Sequence, residues 1–245
     1  MEQILGTAIE DGRFDVVLVA YNYLNQEQGG RILRACREKG IGTTLMKTDP
    51  TGGSTNLWTD LANKAAQEGK EVSSWDRNLL QRLKDNREKA QQFRRDHGAK
   101  DFNDVHAAAL RFVLDNPDVN TAVLTIRTYE EMDRILALSG SKFRAEDRRI
   151  LDAYAGLFGA FYCRHACGLC EPVCPRQVPV NTIMRYHTYF AAQKQEKNAL
   201  AHYARLPGSR AEACGNCDAP CQRACPYGVA IQAMLVRAHS DLTLA

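Results

Sequence analysis

No stretch of this chain is apolar for long enough to span a bilayer, which takes about 20 consecutive apolar residues in a helix. The opening residues, Met1-Glu2-Gln3-Ile4-Leu5, carry neither a basic segment nor a following apolar core, so no export signal is expected there. An excess of charge is also lacking, since 32 Lys and Arg stand against 29 Asp and Glu for a net +3. Aromatic residues make up only 8% and interleave with no basic stripe, which argues against a nucleic-acid face. Pro50-Thr51-Gly52-Gly53-Ser54 is a turn-rich loop, but no Gly-Lys-Ser/Thr follows to complete a phosphate loop. What is left is an ordinary globular composition, 44% hydrophobic and 25% charged. At 245 residues it is long enough for one large or two modest domains.

Cysteine is the exception to this ordinariness. Eight of the nine fall into two quartets, Cys163-x3-Cys167-x2-Cys170-x3-Cys174-Pro175 and Cys214-x2-Cys217-x3-Cys221-x3-Cys225-Pro226. Thiolates delivered from one short loop can converge on a cubane, whose irons each want one soft sulfur ligand. The proline turns the chain away after the last ligand. The bacterial ferredoxin run is Cys-x2-Cys-x2-Cys-x3-Cys-Pro, its fourth cysteine crossing to the other cluster. Each quartet here carries one extra residue, at a different place. We therefore expect two [4Fe-4S] clusters held by Cys163, Cys167, Cys170, Cys174, Cys214, Cys217, Cys221 and Cys225, with the partition of ligands open.

Other chemistries use the same residues. A zinc-stabilised interaction domain would need two sites of four cysteines each, although zinc ribbons usually set two Cys-x2-Cys knuckles apart by a long loop. Disulfides suit the even count but belong to short secreted scaffolds. Eight clustered thiols without metal would oxidise. His165, inside the first quartet, reads as a bystander or a hydrogen-bond donor to a cluster. Cys36 lies on the apolar stripe of a helix and reads as a small buried hydrophobe. Thiolates on this scale favour a reducing compartment, so a cytoplasmic location is expected.

Residues 1–140 read as alternating helix and strand. Ile4, Leu5, Ala8 and Ile9 form a helical stripe ending at Asp11-Gly12. Phe14 to Tyr21 is a nearly continuous apolar run, as for a strand covered on both faces. A helix bearing Ile32, Leu33 and Cys36 ends at Gly40, and a strand over 41–46 follows. The charged stretch 75–97 reads as a solvated amphipathic helix. Helices over 107–114 and 129–138 flank a strand over 121–126. Small residues at 139–142 mark a domain boundary, then a helix over 144–158 leads into the cysteines. Residues 181–203 and about 229–239 should be helical, so 141–245 forms an α-helical ferredoxin-type domain.

The first part of the chain resembles the aldo/keto reductase family. The run Asp15-Val16-Val17-Leu18-Val19-Ala20-Tyr21-Asn22 resembles the sixth barrel strand of that family. Gly40-Ile41-Gly42-Thr43-Thr44-Leu45-Met46-Lys47, followed by Gly52-Gly53, resembles the seventh. Ala108 with Leu110-Arg111-Phe112-Val113-Leu114, Asn116-Pro117 and Val119 is similar to the helix before strand eight. Thr125-Ile126-Arg127-Thr128-Tyr129-Glu130-Glu131 is similar to strand eight and its loop. A subgroup of that family carries a C-terminal iron–sulfur domain, which the quartets match. The resemblance implies an α/β partial (β/α) barrel, the C-terminal strands of a TIM-type barrel, followed by an α-helical ferredoxin-like domain.

The resemblance also implies what is missing. Family members reduce carbonyls with NAD(P), using an Asp, Tyr, Lys and His from the first half of the barrel. This chain starts just before the sixth strand, so no catalytic residue is assigned and only a complete barrel would take NAD(P). Three strands cannot close a barrel. The expected partners are a redox partner protein or the missing barrel half, carried on the same longer protein or on a separate chain. Lys47 and Arg127 fall where the family binds cofactor phosphates, but each is equally an ordinary solvated cation. The helix after Arg127 reads Met132-Asp133-Arg134-Ile135, where the family has acidic residues and Asn. No cofactor-binding residue is assigned.

Overall fold

The computed structural model describes residues 1–49, 95, 102–126, 128–191, 193 and 195–243. The glycine loop at 50–54, Arg127, and the charged stretch 75–97 apart from residue 95 lie outside them. The described chain divides into two compact units, one ending at Ala155 and the other beginning at Gly156. A turn occupies 137–140 as well, upstream of that division.

The first unit begins with helix α1, Glu2–Asp11, which stops at Gly12 in the left-handed region (φ 73). Glycine reaches that conformation without a Cβ clash, so it ends helices cheaply. Strand β1, Val16–Ala20, helix α2, Gln26–Glu38, and strand β2, Gly42–Met46, follow. The strands pair in parallel, Val16 against Gly42 through Ala20 against Met46. Helix α3, Phe102–Leu114, leads to β3, Thr121–Ala122, which extends the sheet in the order β1-β2-β3. Helix α4, Tyr129–Leu136, and all but the last turn of α5, Ala145–Phe158, complete it.

One face of the sheet is dry. Val17, Val19 and Leu45 pack against Ile9 of α1 and Ile32, Leu33 and Cys36 of α2. Burying an aliphatic side chain fully contributes about 1.5–3 kcal/mol, so this layer dominates the unit's stability. Cys36 is fully buried, as its place on the stripe suggests. Gly29 lets α2 approach β1, because a Cβ there would stand 2.5 Å from the Tyr21 ring.

The opposite face departs from expectation. β1 reads as covered on both sides, yet Val16 is 58% and Leu18 50% exposed, and Val123 59%. Period-2 alternation puts Val16 and Leu18 on the side away from Val17 and Val19, and no helix covers that side among the described residues. The lack of cover also accounts for β3. Val123 still donates its amide to the Leu45 carbonyl (2.8 Å), but the pairing stops there rather than running to residue 126.

Polar pins set the loops at both ends of the strands and tie α5 to α3. Asn22, fully buried, accepts from the Leu24 amide (2.9 Å) and donates to the Lys47 carbonyl (2.8 Å). Asn25 accepts from the Asn22 amide (2.7 Å) and donates to the Ala20 carbonyl (2.8 Å). Asn120 accepts from the Thr43 amide (2.8 Å), locking β3 beside β2. Asp147 of α5, 1% exposed, accepts from Arg111 (2.9 and 2.5 Å) and from the Arg144 amide (2.9 Å).

The second unit has helices and turns, with no strand among its described residues. Helices α6, Val180–Ala191, α7, Glu196–Ala204, and α9, Ile231–Leu242, pack around Tyr203, Ile183 and Leu235, with short α8, Pro220–Arg223, between. Two polar pairs join these helices. His187 bonds Asp241 (2.8 Å), and the Tyr203 hydroxyl bonds His239 Nδ1 (2.7 Å). Where one helix is expected over 181–203 there are two, joined by a short break.

Candidate metal centres

Two loops carry the eight quartet cysteines into the second unit. The first, 163–174, tightens through a short 3-10 turn at Glu171–Val173 and leaves through Pro175. The second begins with a 3-10 turn at Ala211–Cys214 and ends in α8. Of the four non-glycine residues with positive φ among those described, Ala166, Gln177 and Ala219 flank these cysteines. Such conformations cost of order 1–3 kcal/mol each and persist where surrounding structure overrides them. Strain is thus concentrated where the thiols are aimed.

The sulfurs do not sort by quartet. A cavity of about 340 Å³, including its open mouth, is lined by Cys163, Cys167 and Cys170 of the first loop and by Cys225 of the second. Another of about 360 Å³ is lined by Cys214, Cys217 and Cys221 of the second loop and by Cys174 of the first. Each cavity therefore takes three cysteines from one quartet and the proline-adjacent cysteine from the other. All nine cysteines are free of disulfides. Among the described residues, no three His, Cys, Asp or Glu side chains converge tightly enough to hold a single metal ion.

The chemistry of these thiols tests whether a soft metal group would fit. Burial pushes Cys163 up to about 12, with the neighbouring Cys167 and Cys225 charges adding to the effect. Burial likewise takes Cys170 and Cys214 to about 12, again with other cysteines contributing. Cys167 and Cys221 are raised, chiefly by burial. Such a set is poor as bare thiolates and suited to a cationic soft centre that replaces the protons, since metal binding at thiols releases them. Sulfur acceptors are already served by N–H donors. The Val178 amide donates to Cys174 Sγ and the Asn181 side chain to Cys163 Sγ, both at 3.4 Å. The residues present fit the group.

Supporting residues hold the loops. Asn181 also donates to the Arg164 carbonyl (2.6 Å) and accepts from the Ala166 amide (2.8 Å), while its own amide donates to Glu171 (2.9 Å). Gln232, 4% exposed, donates to the Cys214 and Cys217 carbonyls (2.8 and 2.6 Å). Arg164 is buried, donates to the Gly159 and Tyr162 carbonyls (2.6 and 2.7 Å) and lies 3.8 Å from the Tyr227 ring centroid. His165 lies in the first loop, its Nδ1 bonded to the Tyr162 hydroxyl (2.9 Å).

Sequence reasoning found the cysteines but not these supports. Gln232 did leave a signal, as the lone polar residue between Val229 and Val236. Arg164 and Asn181 left none. Lys47, which the resemblance places near a cofactor phosphate, has φ 57 and its carbonyl accepts from Asn22.

The parallel sheet, the helices behind it and the strand-end loops are those of a β/α barrel segment, and the comparison with protein families agrees. The model of the aldo/keto reductase family matches residues 2–155, more than half of the chain. The chain belongs to the aldo/keto reductase family. The match ends at Ala155, where the first compact unit also ends, so the eight quartet cysteines lie beyond it. Comparison with curated proteins and with solved structures gives no match.

Proposed function

We propose that the protein is an iron–sulfur oxidoreductase component, an aldo/keto reductase barrel segment joined to a unit that holds two [4Fe-4S] clusters. The single observation that carries this reading is the three-plus-one lining of the two cavities. Two zinc sites or two reactive thiol clusters have no need to exchange a cysteine between loops, whereas binuclear ferredoxin sites take the fourth ligand from the other run. Cys163, Cys167, Cys170 and Cys225 would hold one cluster, and Cys214, Cys217, Cys221 and Cys174 the other. When bound, the clusters supply one-electron transfer. The protein's own part is to bind them, exclude water with Val180, which lines both cavities, and donate N–H bonds to the sulfurs.

Zinc is the poorer fit on geometry. A tetrahedral ion with Zn–S near 2.3 Å needs its four sulfurs within about 3.8 Å of one another, and these cysteines line cavities rather than converge. The test is iron and acid-labile sulfide per chain after anaerobic purification and reconstitution. About eight irons with matching sulfide are expected. Zinc without sulfide would overturn the reading.

Family membership favours a second reading beside the first, NAD(P)-dependent carbonyl reduction by a completed barrel. The exposed Val16, Leu18 and Val123 face is the side that further strands would cover. Nicotinamide oxidation observed only when strands one to five are supplied, on the same or another chain, would support it. Thiolate-rich chemistry also favours a reducing compartment, the cytoplasm, and a redox partner protein. Among the described residues no helix is long and apolar enough to cross a membrane.

A further inference from the structure

The two cysteine cavities are both served by N–H donors but differ in charge. Cys163 accepts from the Asn181 side chain and Cys167 from the Leu169 amide. In the other cavity Cys174 accepts from the Val178 amide and Cys221 from the Gln222 amide. N–H donors reach two sulfurs in each cavity, Cys221 receiving a second from its own amide, so hydrogen bonding gives the first cavity no advantage.

The guanidinium groups do. Arg164, 6% exposed, lines the first cavity and lies close enough to Cys163 and Cys225 for their charges to interact. Arg185, half-buried on α6, acts on Cys163 as well. Glu171 acts on Cys170 with the opposite sign, so among the described residues two guanidinium groups stand against one carboxylate at the first cavity. The second cavity has Arg176 on its wall, acting on Cys214, but Arg176 is exposed, as are Asp218 and Glu212 nearby. Exposed charges are screened by water and salt, whereas a buried one acts through a poorer dielectric. Reduction adds one negative charge to a cluster, so an unscreened cation beside it raises its potential.

We propose that Arg164, aided by Arg185, makes the Cys163/Cys167/Cys170/Cys225 cavity the higher-potential of the two, so that a singly reduced protein keeps its electron there. The inference rests on the iron–sulfur reading above. The couple is a one-electron reduction in which no bond forms or breaks, with dithionite as reductant in the assay. Arg164 is a tuning residue, acting by charge on a centre that others bind.

The experiment is potentiometric titration of the reconstituted full chain, followed by electron paramagnetic resonance, after iron and sulfide have been counted. Two potentials are expected, differing by at least tenfold in the one-electron equilibrium, about 59 mV. R164Q should lower the higher one by a similar factor at unchanged iron content. R164K keeps the charge and should hold both potentials near wild type, and R176Q should move neither by more than about twofold. Should R164Q fail to load iron, R185Q carries the test with a smaller downward shift. Coincident potentials, an R164Q or R185Q chain with no shift, or R164K behaving like R164Q would each overturn the proposal. A wild-type chain that takes up no iron and sulfide would instead overturn the iron–sulfur reading beneath it.

Discussion

Exchange of a cysteine between the loops makes a pairing rule that double substitution can read. Cys163 and Cys225 belong to different quartets but line one cavity, while Cys163 and Cys174 share a quartet and line different cavities. C163S/C225S therefore removes two of four ligands from one site and none from the other. C163S/C174S removes one ligand from each. Starting from about eight irons per chain, two four-iron clusters, C163S/C225S should retain about four irons with matching sulfide. C163S/C174S should fall well below that, because both sites are incomplete. Iron and acid-labile sulfide are measured after anaerobic reconstitution and desalting, with far-ultraviolet circular dichroism confirming that the helices persist. If C163S/C174S keeps half its iron and C163S/C225S keeps almost none, each quartet serves its own cluster and the crossed assignment is wrong.

Three polar contacts, those of Asp147, Gln232 and His106, give further outcomes. D147A leaves Arg111 facing a void where a 1% exposed carboxylate stood; breaking such a buried pair costs about 3–5 kcal/mol, and a loss below about 1 kcal/mol in urea denaturation would count against it. Burial opposes ionisation of Asp147, but the Arg111 and Arg144 bonds prevail and hold its carboxyl below the usual range. Its stabilising effect is therefore present above about pH 4 and lost as pH falls below that, a slope that D147N should flatten. Q232A removes the donor to the Cys214 and Cys217 carbonyls, costing about 2–4 kcal/mol in all, and should speed iron loss to a chelator; wild-type rates would refute the clamp. His106 is raised mainly by its bond to Asp49, so its contribution is complete below about pH 6.5 and lost as pH rises beyond it. H106Q should erase that decline in melting temperature between pH 6 and 8, and an unchanged profile would refute the pairing.

The α1-β1-α2-β2 run was legible because its signals are local. An apolar stripe ending at Gly12 or Gly40, both with φ near 70°, marks a helix stop without reference to anything distant. The bare face of β1 was not legible, because Val16 and Leu18 are as apolar as Val17 and Val19 and only the tertiary arrangement decides which pair is covered. For the same reason the strand over 121–126 shrank to two residues. At the candidate site the residue type was legible and the grouping was not. Cys174 and Cys225 line the cavity of the opposite loop because α6 and α9 bring the two loops together, and no spacing within either quartet records that. Asn22, Asn25 and Asn120 look like ordinary loop residues, and their pinning role depends on carbonyls and amides many positions away.

The crossing also sets an order of events while the chain is being made. Cys163, Cys167 and Cys170 leave the ribosome together, but their cavity waits for Cys225, some sixty residues later. At 5–20 residues per second that delay is roughly 3–12 s. Through that interval three closely spaced thiols stand without the fourth wall of their cavity, open to oxidants and to stray metal ions. The other cavity has the easier birth, since Cys174 is already present when Cys214, Cys217 and Cys221 emerge in quick succession. Oxidative damage during synthesis should therefore fall first on Cys163, Cys167 and Cys170.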